Sequence, residues 1–447
     1  MHIAVVDANP PSLRALRLAK TAGHRVTFLQ PPLTQYALTG ENLSIVYSAD
    51  TLVDGIDTTD PQAVVAALGE CHARHPIDVA VAFQELAAEA VAHACRELGL
   101  RGTAPEAVLM ARRKDRCRAA LETAGLDSAA YVLAADQDAA LAAAERIGYP
   151  VVLKPPSGSA SLLSHVARDT AGARKAAADI LAGQDAVPPH WVTQFSRGVL
   201  VEELLVGRMV SVEIGARDGA FFPFCVTGRF RSPRNEVIEL GSCVPADLAP
   251  VQSAACVAYA EAVCRAIGAD FGIFHLEIML TERGPVLVEF NPRIMGGGLP
   301  NCYRHATGQE IYASFLDLVT GAPVRVPEGF AGCTAVFVVT AETGGRLPKT
   351  ASLAPLHDDD GVLEVLGFDT YRTGPGRLVV PGQTVARFIL RAPDRRTAVA
   401  RGTRLLHRLE ETLGLTLMTG DKDSEGGTAM LHTPPSHCRS RASVDLT

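Results

Sequence analysis

Residues 272–298, GIFHLEIMLTERGPVLVEFNPRIMGGG, carry the densest set of groups able to do chemistry. Two strand-like runs, GIFHLEIML and PVLVEFNP, flank Thr281-Glu282-Arg283-Gly284. A three-residue hairpin loop, Glu282 to Gly284 with Gly284 in the left-handed position, centres the register on Arg283. Glu277 then lies opposite Glu289, and His275 opposite Asn291. Side chains alternate faces along a strand, so all four project from one side. Two carboxylates directly across a ladder repel unless a cation lies between them. Glu277, Glu289 and Asn291 are hard oxygen donors of the kind Mg²⁺ prefers, with phosphate oxygens completing its shell. Arg293 follows, with a fork suited to phosphate or carboxylate. Gly296, Gly297 and Gly298 allow a close backbone approach to a ligand. An ordinary hairpin with its glutamates turned to water has the same pattern, since exposed glutamate is common.

Three other stretches carry charge in a useful setting. In VVLKPPSGSASLLSHVARD a strand delivers Lys154, and the small-residue loop Ser157-Gly158-Ser159-Ala160-Ser161 leads into a returning strand. Such a loop lets backbone N–H groups converge on an anion while the lysine adds a point charge. It is not a GxxxxGK[ST] loop, because the lysine precedes the glycine and sits on a strand. Arg112, Arg113, Lys114, Arg116 and Arg118 form a basic patch within EAVLMARRKDRCRAALETAG, read as one helix from Pro105; a solvated helix face is the ordinary fate of such a run. GRFRSPRNEVIEL supplies Arg229, Arg231 and Arg234, read as a basic loop, and then Glu239.

These groups need elements to hold them. HIAVVDA is a buried parallel strand, a helix opens at Pro10-Pro11-Ser12 and closes at Gly23, and RVTFL is the next strand. This β-α-β start is doubly wound in character, but Asp7-Ala8-Asn9-Pro10 stands where GxGxxG would mark a dinucleotide site. VAVAF, a helix ending at Gly99, and the linker LRGTAP place a boundary near residue 105. VLVEELLVGRMVSVEIGARDG reads as two strands around Gly207, with the adjacent Glu202 and Glu203 on opposite faces. A long helix over 251–268 leads into the hairpin. Beyond residue 325 a smaller α/β unit begins, and residues 421–447 have the composition of a disordered tail. His432, His437 and Cys438 within it are assigned no role.

Composition excludes several classes. A net charge of −7 argues against a nucleic-acid binder. No apolar run is long enough for a membrane span. The N-terminus reads as a strand rather than a leader, and ten cysteines are scattered singly with no metal-like spacing. A reduced, cytoplasmic enzyme is the simplest expectation.

Taken together, the order of motifs resembles the ATP-grasp carboxylate–amine ligases: MARRKDRCRAAL, VVLKPPSGSAS, VEELLVG, MVSVE and LEIML…VLVEFNPR, in that order. VIELGSCVPADL, NPRIMGGGLP and the closing unit ETGGRL…DGVLEV…PGQTVARFILRA resemble the L-amino-acid ligase (dipeptide synthetase) branch. The resemblance implies an α/β chain with α+β character in its nucleotide-binding part. It divides the chain into an N-terminal α/β domain (1–105), an ATP-grasp domain (106–325) with a lid over about 128–200, a small C-terminal domain (326–420) and the tail. It implies ATP with Mg²⁺ or Mn²⁺, small-molecule carboxylate and amine substrates, no nucleic acid or membrane partner, and a homodimer. Lys114, Lys154 and the Ser157, Gly158, Ser159, Ser161 loop would meet the phosphates. Glu202, Glu203 and Leu205 would cradle adenine, Glu202 making the contact. Glu277, Glu289 and Asn291 would hold the metal, and Arg293 the acyl phosphate. Arg229, Arg231, Arg293, Gly297 and Gly298 would bind substrate, and His275 and Glu239 are candidate bases for the amine, with an orienting role favoured for His275. One departure stands out: Met209 occupies the place where many relatives have a ribose-binding glutamate, while Glu213 matches. A biotin-carboxylase-like enzyme and a nucleotide-binding scaffold with a degenerate site are the competing readings. The coda NPRIMGGG disfavours the first and Met209 keeps the second open.

Overall fold

In the computed structural model residues 1–421 are described, apart from 33–37, 39, 159–162, 187–196, 235–237 and 369–372. At the N-terminus four short apolar runs, β1 (His2–Val6), β2 (Arg25–Gln30), β3 (Thr51–Asp54) and β4 (Val79–Ala82), pair in parallel in the order β3-β2-β1-β4. Alternate residues of β1 explain the covering helices. Ile3 and Val5 pack with α1 (Leu13–Thr21), while Ala4 and Val6 pack with α3 (Pro61–Arg74) and α4 (Ala88–Leu98) on the other face; α2 is Glu41–Tyr47. Both faces are covered, as a parallel sheet requires. Local chemistry sets the helix ends: Asp60 accepts from the Gln62 N–H with Pro61 in the first turn, and Gly99 takes the left-handed conformation after α4.

The single helix expected from Pro105 is two, α5 (Pro105–Arg112) and α6 (Lys114–Thr123). Arg113 breaks them with extended backbone, φ −91° and ψ 99°. The Lys114 N–H then donates to the Pro156 carbonyl, which sets the start of α6 against the loop after Lys154.

An antiparallel sheet, β5-β8-β6-β7, follows, made of β5 (Tyr131–Ala134), β6 (Val151–Lys154), β7 (His165–Ala167) and β8 (Val199–Glu203). It is backed by α7 (Gln137–Ile147) and α8 (Thr170–Ala186). The second sheet has eight strands. It contains β9 (Arg208–Arg217), β10 (Ala220–Arg231), β11 (Glu239–Val244), β12 (Phe271–Thr281), β13 (Gly284–Asn291), β14 (Cys333–Thr340), β16 (Val362–Phe368) and β18 (Thr384–Ala392). Their order is β13-β12-β9-β10-β11-β14-β18-β16, with β15 (Gly345–Arg346) and β17 (Leu378–Val379) forming a separate pair. The helices are α9 (Pro250–Ile267), α10 (Leu299–Thr307), α11 (Ile311–Thr320), α12 (Ala354–His357) and α13 (Arg395–Leu413).

Three features go beyond the sequence reading. The two strands on either side of Gly207 do not pair: β8 belongs to the small sheet and β9 to the large one, so the chain changes sheets there. A Cβ at Gly207 would overlap the Leu280 carbonyl oxygen, which is why glycine stands at the crossing. The C-terminal strands β14, β18 and β16 continue the large sheet instead of forming one of their own, although Phe337, Phe388, Leu405 and Leu409 build a separate core cluster. Asp421, assigned to the tail, is buried and ion-paired to Arg395 at 2.6 Å. The tail's remaining residues, His432, His437 and Cys438 included, lie outside the described residues. No helix among the described residues is long and apolar enough to cross a membrane.

Candidate active site

Between the two sheets lies a cleft of about 570 Å³, and the sequence-selected hairpin forms part of its wall. Glu277 does stand opposite Glu289 and His275 opposite Asn291, but for a different reason from the one expected. The loop has two residues, since Thr281 pairs with Gly284, and a bulge at Val288 shifts the register back by one. The two differences cancel at the carboxylates. The bulge is also held in place: Arg118 Nη2 donates to the Val288 carbonyl at 2.8 Å.

No group of three or more His, Cys, Asp or Glu residues able to hold a metal occurs among the described residues. The expected set is different in kind, two carboxylates and one amide oxygen. Each carboxylate has drawn a cation to itself: Glu277 Oε1 meets Arg229 Nη2 at 2.9 Å, and Glu289 Oε1 meets Lys114 Nζ at 2.6 Å. Burial works against the Glu277 charge, but Arg229 and His275 outweigh it and hold the carboxyl at about 2. Facing oxygen donors that attract positive charge to this degree fit a hard divalent cation.

Arg229 lies on strand β10, not in a loop, and is buried. All five of its N–H donors are used. Nε donates to Ser211, Nη1 to Glu239 at 2.6 Å and to Ser242, and Nη2 to His275 Nε2 and to Glu277. A guanidinium so fully engaged holds the wall together and has no donor left to grip a substrate carboxylate. Arg231 is likewise buried and donates to the Gly207 carbonyl. Arg234 alone of the three is exposed, and it pairs with Glu342. His275, 3% exposed, stands between Glu213 Oε1 at 2.6 Å and Arg229, and it does not line the cleft. It also lies 3.5 Å from Glu277, so it links the buried Glu213 to both residues. Glu239 does reach the wall, bound to Arg229 and Ser242. Glu213 is fully buried against His275 and does not line the cleft.

The basic patch is not a solvated face: of its five cations only Arg116 is exposed. Arg112 pairs with Glu89 and Arg113 with Asp115, while Lys114 pairs with Glu289 and also donates to the Gly158 carbonyl at 3.3 Å. Arg118, 1% exposed, meets Glu202 Oε1 at 3.0 Å, and Lys154 Nζ meets Glu202 Oε2 at 2.6 Å. Glu202, expected to contact adenine, lines the cleft with its carboxylate taken up by two cations. The Glu203–Leu205 stretch remains on the cleft wall. Glu203 accepts from the Ala130 N–H and pairs with Arg283 at the hairpin tip.

Two cations on one anion leave positive charge over. Burial opposes ionisation of Glu202, yet Arg118 and Lys154 hold it at about 2. Lys154 is drawn down chiefly by burial; Glu202 opposes this, and Arg118 and Lys114 add to the lowering. Lys114 goes the other way: burial lowers it, but Glu289 raises it further. This surplus is what an anionic phosphate chain would relieve. Arg118 was missed as a site residue, although its spacing of four from Lys114 on one helix face was the available signal.

Arg293 is held differently. Nη1 donates to the Ile294 carbonyl at 3.1 Å, and Nη2 to Asn291 at 3.2 Å and to Glu85 of the N-terminal domain at 3.4 Å. Ser157 and Gly158 line the cleft, whereas Ser159 and Ser161 lie outside the described residues. Met209 pairs with Met279 and both line the cleft, giving an apolar surface where a hydrogen-bonding glutamate was absent from the motif. Gly297 and Gly298 do not line it. A Cβ at Gly298 would press on Val336 Cγ2 at 2.6 Å, so this glycine serves the packing of α10 on β14.

Two lysines converging from a helix and a strand, facing carboxylates and an arginine form a nucleotide cleft of recognisable type. Family models for the ATP-grasp N-terminal domain and the ATP-grasp domain match residues 16–102 and 147–301, together more than half of the chain. The chain belongs to the ATP-grasp ligases and, within them, to the amino-acid-ligase branch, ADP-forming C–N ligases by class. ATP with a divalent metal is the general requirement of that family. An uncharacterized protein, y4rH, of Sinorhizobium fredii is 26% identical over 339 residues, 74% of this chain and 65% of that protein. The alanine–anticapsin ligase of Bacillus amyloliquefaciens is 24% identical over 349 residues, 71% of this chain and 74% of that ligase. The L-amino acid ligase of Bacillus licheniformis superposes with a TM-score of 0.72 at 19% identity, covering 94% of this chain and 99% of that one.

Proposed function

We propose that this protein is an ATP-dependent ligase that activates the carboxylate of an amino acid as an acyl phosphate and couples it to an amine. The observation that carries the reading is the charge surplus formed by Lys114, Lys154 and Arg118 around Glu202 and Glu289, beside the Glu277–Glu289 pair. A carboxylate attacks the γ-phosphate and ADP leaves; the amine then displaces phosphate to form the amide. Such a transfer needs positioning and charge neutralisation rather than a covalent nucleophile. Lys114 and Lys154 meet the phosphates, and Glu203–Leu205 with Met209 and Met279 border the base and sugar. Arg293, on the side of the cleft facing Glu85, steadies the acyl phosphate. Glu277, Glu289 and Asn291 would hold Mg²⁺ or Mn²⁺, which would supply charge neutralisation at the transferring phosphate. The four-stranded sheet and its loop act as a lid that keeps water from the acyl phosphate. The reading places the enzyme in the cytoplasm as a homodimer, which light scattering measures.

The test is ADP release from purified protein with Mg²⁺, over amino acids offered singly and in pairs. Release that depends on a pair, with a matching amide product, is expected. ATP binding without ADP release for any pair supports the scaffold reading, and release driven by bicarbonate and biotin supports the carboxylase.

A further inference from the structure

The carboxylates around the cleft fall into two groups. Glu202, Glu213, Glu239, Glu277 and Glu289 each have a cationic or imidazole partner within 3.0 Å. Glu85 is different. Its side chain is only 11% exposed, yet among the described residues its ion-pair contact is Arg293 Nη2 at 3.4 Å, the outer limit of a hydrogen bond. Lys114 attracts Glu85 through space without an ion-pair contact, so this largely buried carboxylate has room for a cation at hydrogen-bond distance. Arg293 is itself loosely tied, with all three contacts at 3.1–3.4 Å, so it can turn toward an incoming anion.

Position points the same way. Glu85 opens a short 3₁₀ turn that follows the carboxyl end of β4 after two intervening residues. The order β3-β2-β1-β4 reverses direction between β1 and β4, and ligands of open α/β sheets bind in the crevice outside such a reversal. This crevice faces Arg293.

Building on the ligase reading, we propose that Glu85 is the site for the ammonium group of the amine substrate. Once Arg293 engages the acyl phosphate, Glu85 loses its direct ion-pair partner, and the ammonium takes that place. Bound there, the ammonium passes one proton to Glu85, and the neutral amine, placed beside the activated carbonyl, attacks it, a gain from proximity. The C–O bond to phosphate breaks, and the phosphate leaves with the second amine proton. The order of events follows: acyl-phosphate formation favours amine binding, because it draws Arg293 off Glu85.

The test pairs Glu85→Gln with two nucleophiles. One is the amine of the amino-acid pair giving the greatest ADP release. The other is hydroxylamine at mildly alkaline pH, where it is neutral and traps the acyl phosphate as a hydroxamate. Glu85→Gln is expected to raise KM for the amine at least about tenfold, the worth of a charged hydrogen bond, with hydroxamate formation changing less than about threefold. Glu85→Asp should recover part of the amine affinity. An amine KM within about twofold of wild type, or a parallel loss of hydroxamate, overturns the assignment. If Glu85→Gln fails to fold, as read by circular dichroism, the amine KM of Glu85→Asp decides, an unchanged value overturning it. Wild-type protein that yields no hydroxamate with any of the twenty amino acids overturns the ligase reading itself and this proposal with it.

Discussion

Arg229 and Arg293 border the same cleft and carry the same charge, but they are held in opposite ways. Arg229 spends all five donors on protein partners, several within 3.0 Å, and is buried. Arg293 makes three longer contacts, one of them across to the N-terminal domain. The difference teaches that a count of cations near a pocket does not identify those that meet a ligand. Committed donors build the wall, and loosely committed ones are left for the chemistry.

The largest expected effect concerns the carboxylate that shares Lys114. Glu289→Gln should abolish ADP formation while circular dichroism stays that of the wild type; near-normal turnover would remove Glu289 from the metal site. The two arginines should then separate. Arg293→Met is expected to lower amide formation about 10²–10³-fold, as for loss of a preorganised charge stabiliser, with Tm little changed. Arg229→Met should instead destabilise the fold by about 3 kcal/mol, because the largely buried Glu277 loses its guanidinium partner and Ser211 and His275 lose a hydrogen bond each; chemical denaturation measures it. The reverse pattern, a stable dead Arg229 variant and an unstable active Arg293 variant, would erase the contrast.

Lys154→Ala should raise the apparent KM for ATP about tenfold, and an unchanged value would place the phosphates elsewhere. Acid unfolding tests the wall directly. Glu202 and Glu277 are held at about 2 against an ordinary 4.5. Their contribution to stability is therefore complete above pH 4.5 and is lost as pH falls from there toward 2. Glu202→Gln should flatten the dependence of Tm on pH in that window. The smallest effect is expected at the C-terminus. Removing residues 422–447 should leave Tm and ADP release unchanged, whereas extending the cut through Asp421 should lower Tm, since Arg395 loses its partner.

Much of the site was legible because it is local. Strand alternation and a short hairpin placed Glu277, Glu289, His275 and Asn291 on one face, and β6 presented Lys154 as its residue pattern required. Even there the legibility was partly fortunate, since a shorter loop and a bulge cancelled. The basic run of α5 and α6 shows the opposite case. Spacing alone could not tell that Arg118 would reach Glu202 across 84 positions, or that Arg112 would meet Glu89.

By itself, the sequence determined the strands and helices, the parallel character of the first sheet, and the stock of carboxylates and cations, because these depend on residues a few positions apart. Only the tertiary structure decided which charge meets which. Ion pairing and burial depend on distances through space, and here they join α6 to β8, β10 to β12, and Arg293 to Glu85 across 208 positions. Those pairings turn one set of similar charges into a fixed wall and leave Arg293 and Glu85 to meet the substrates.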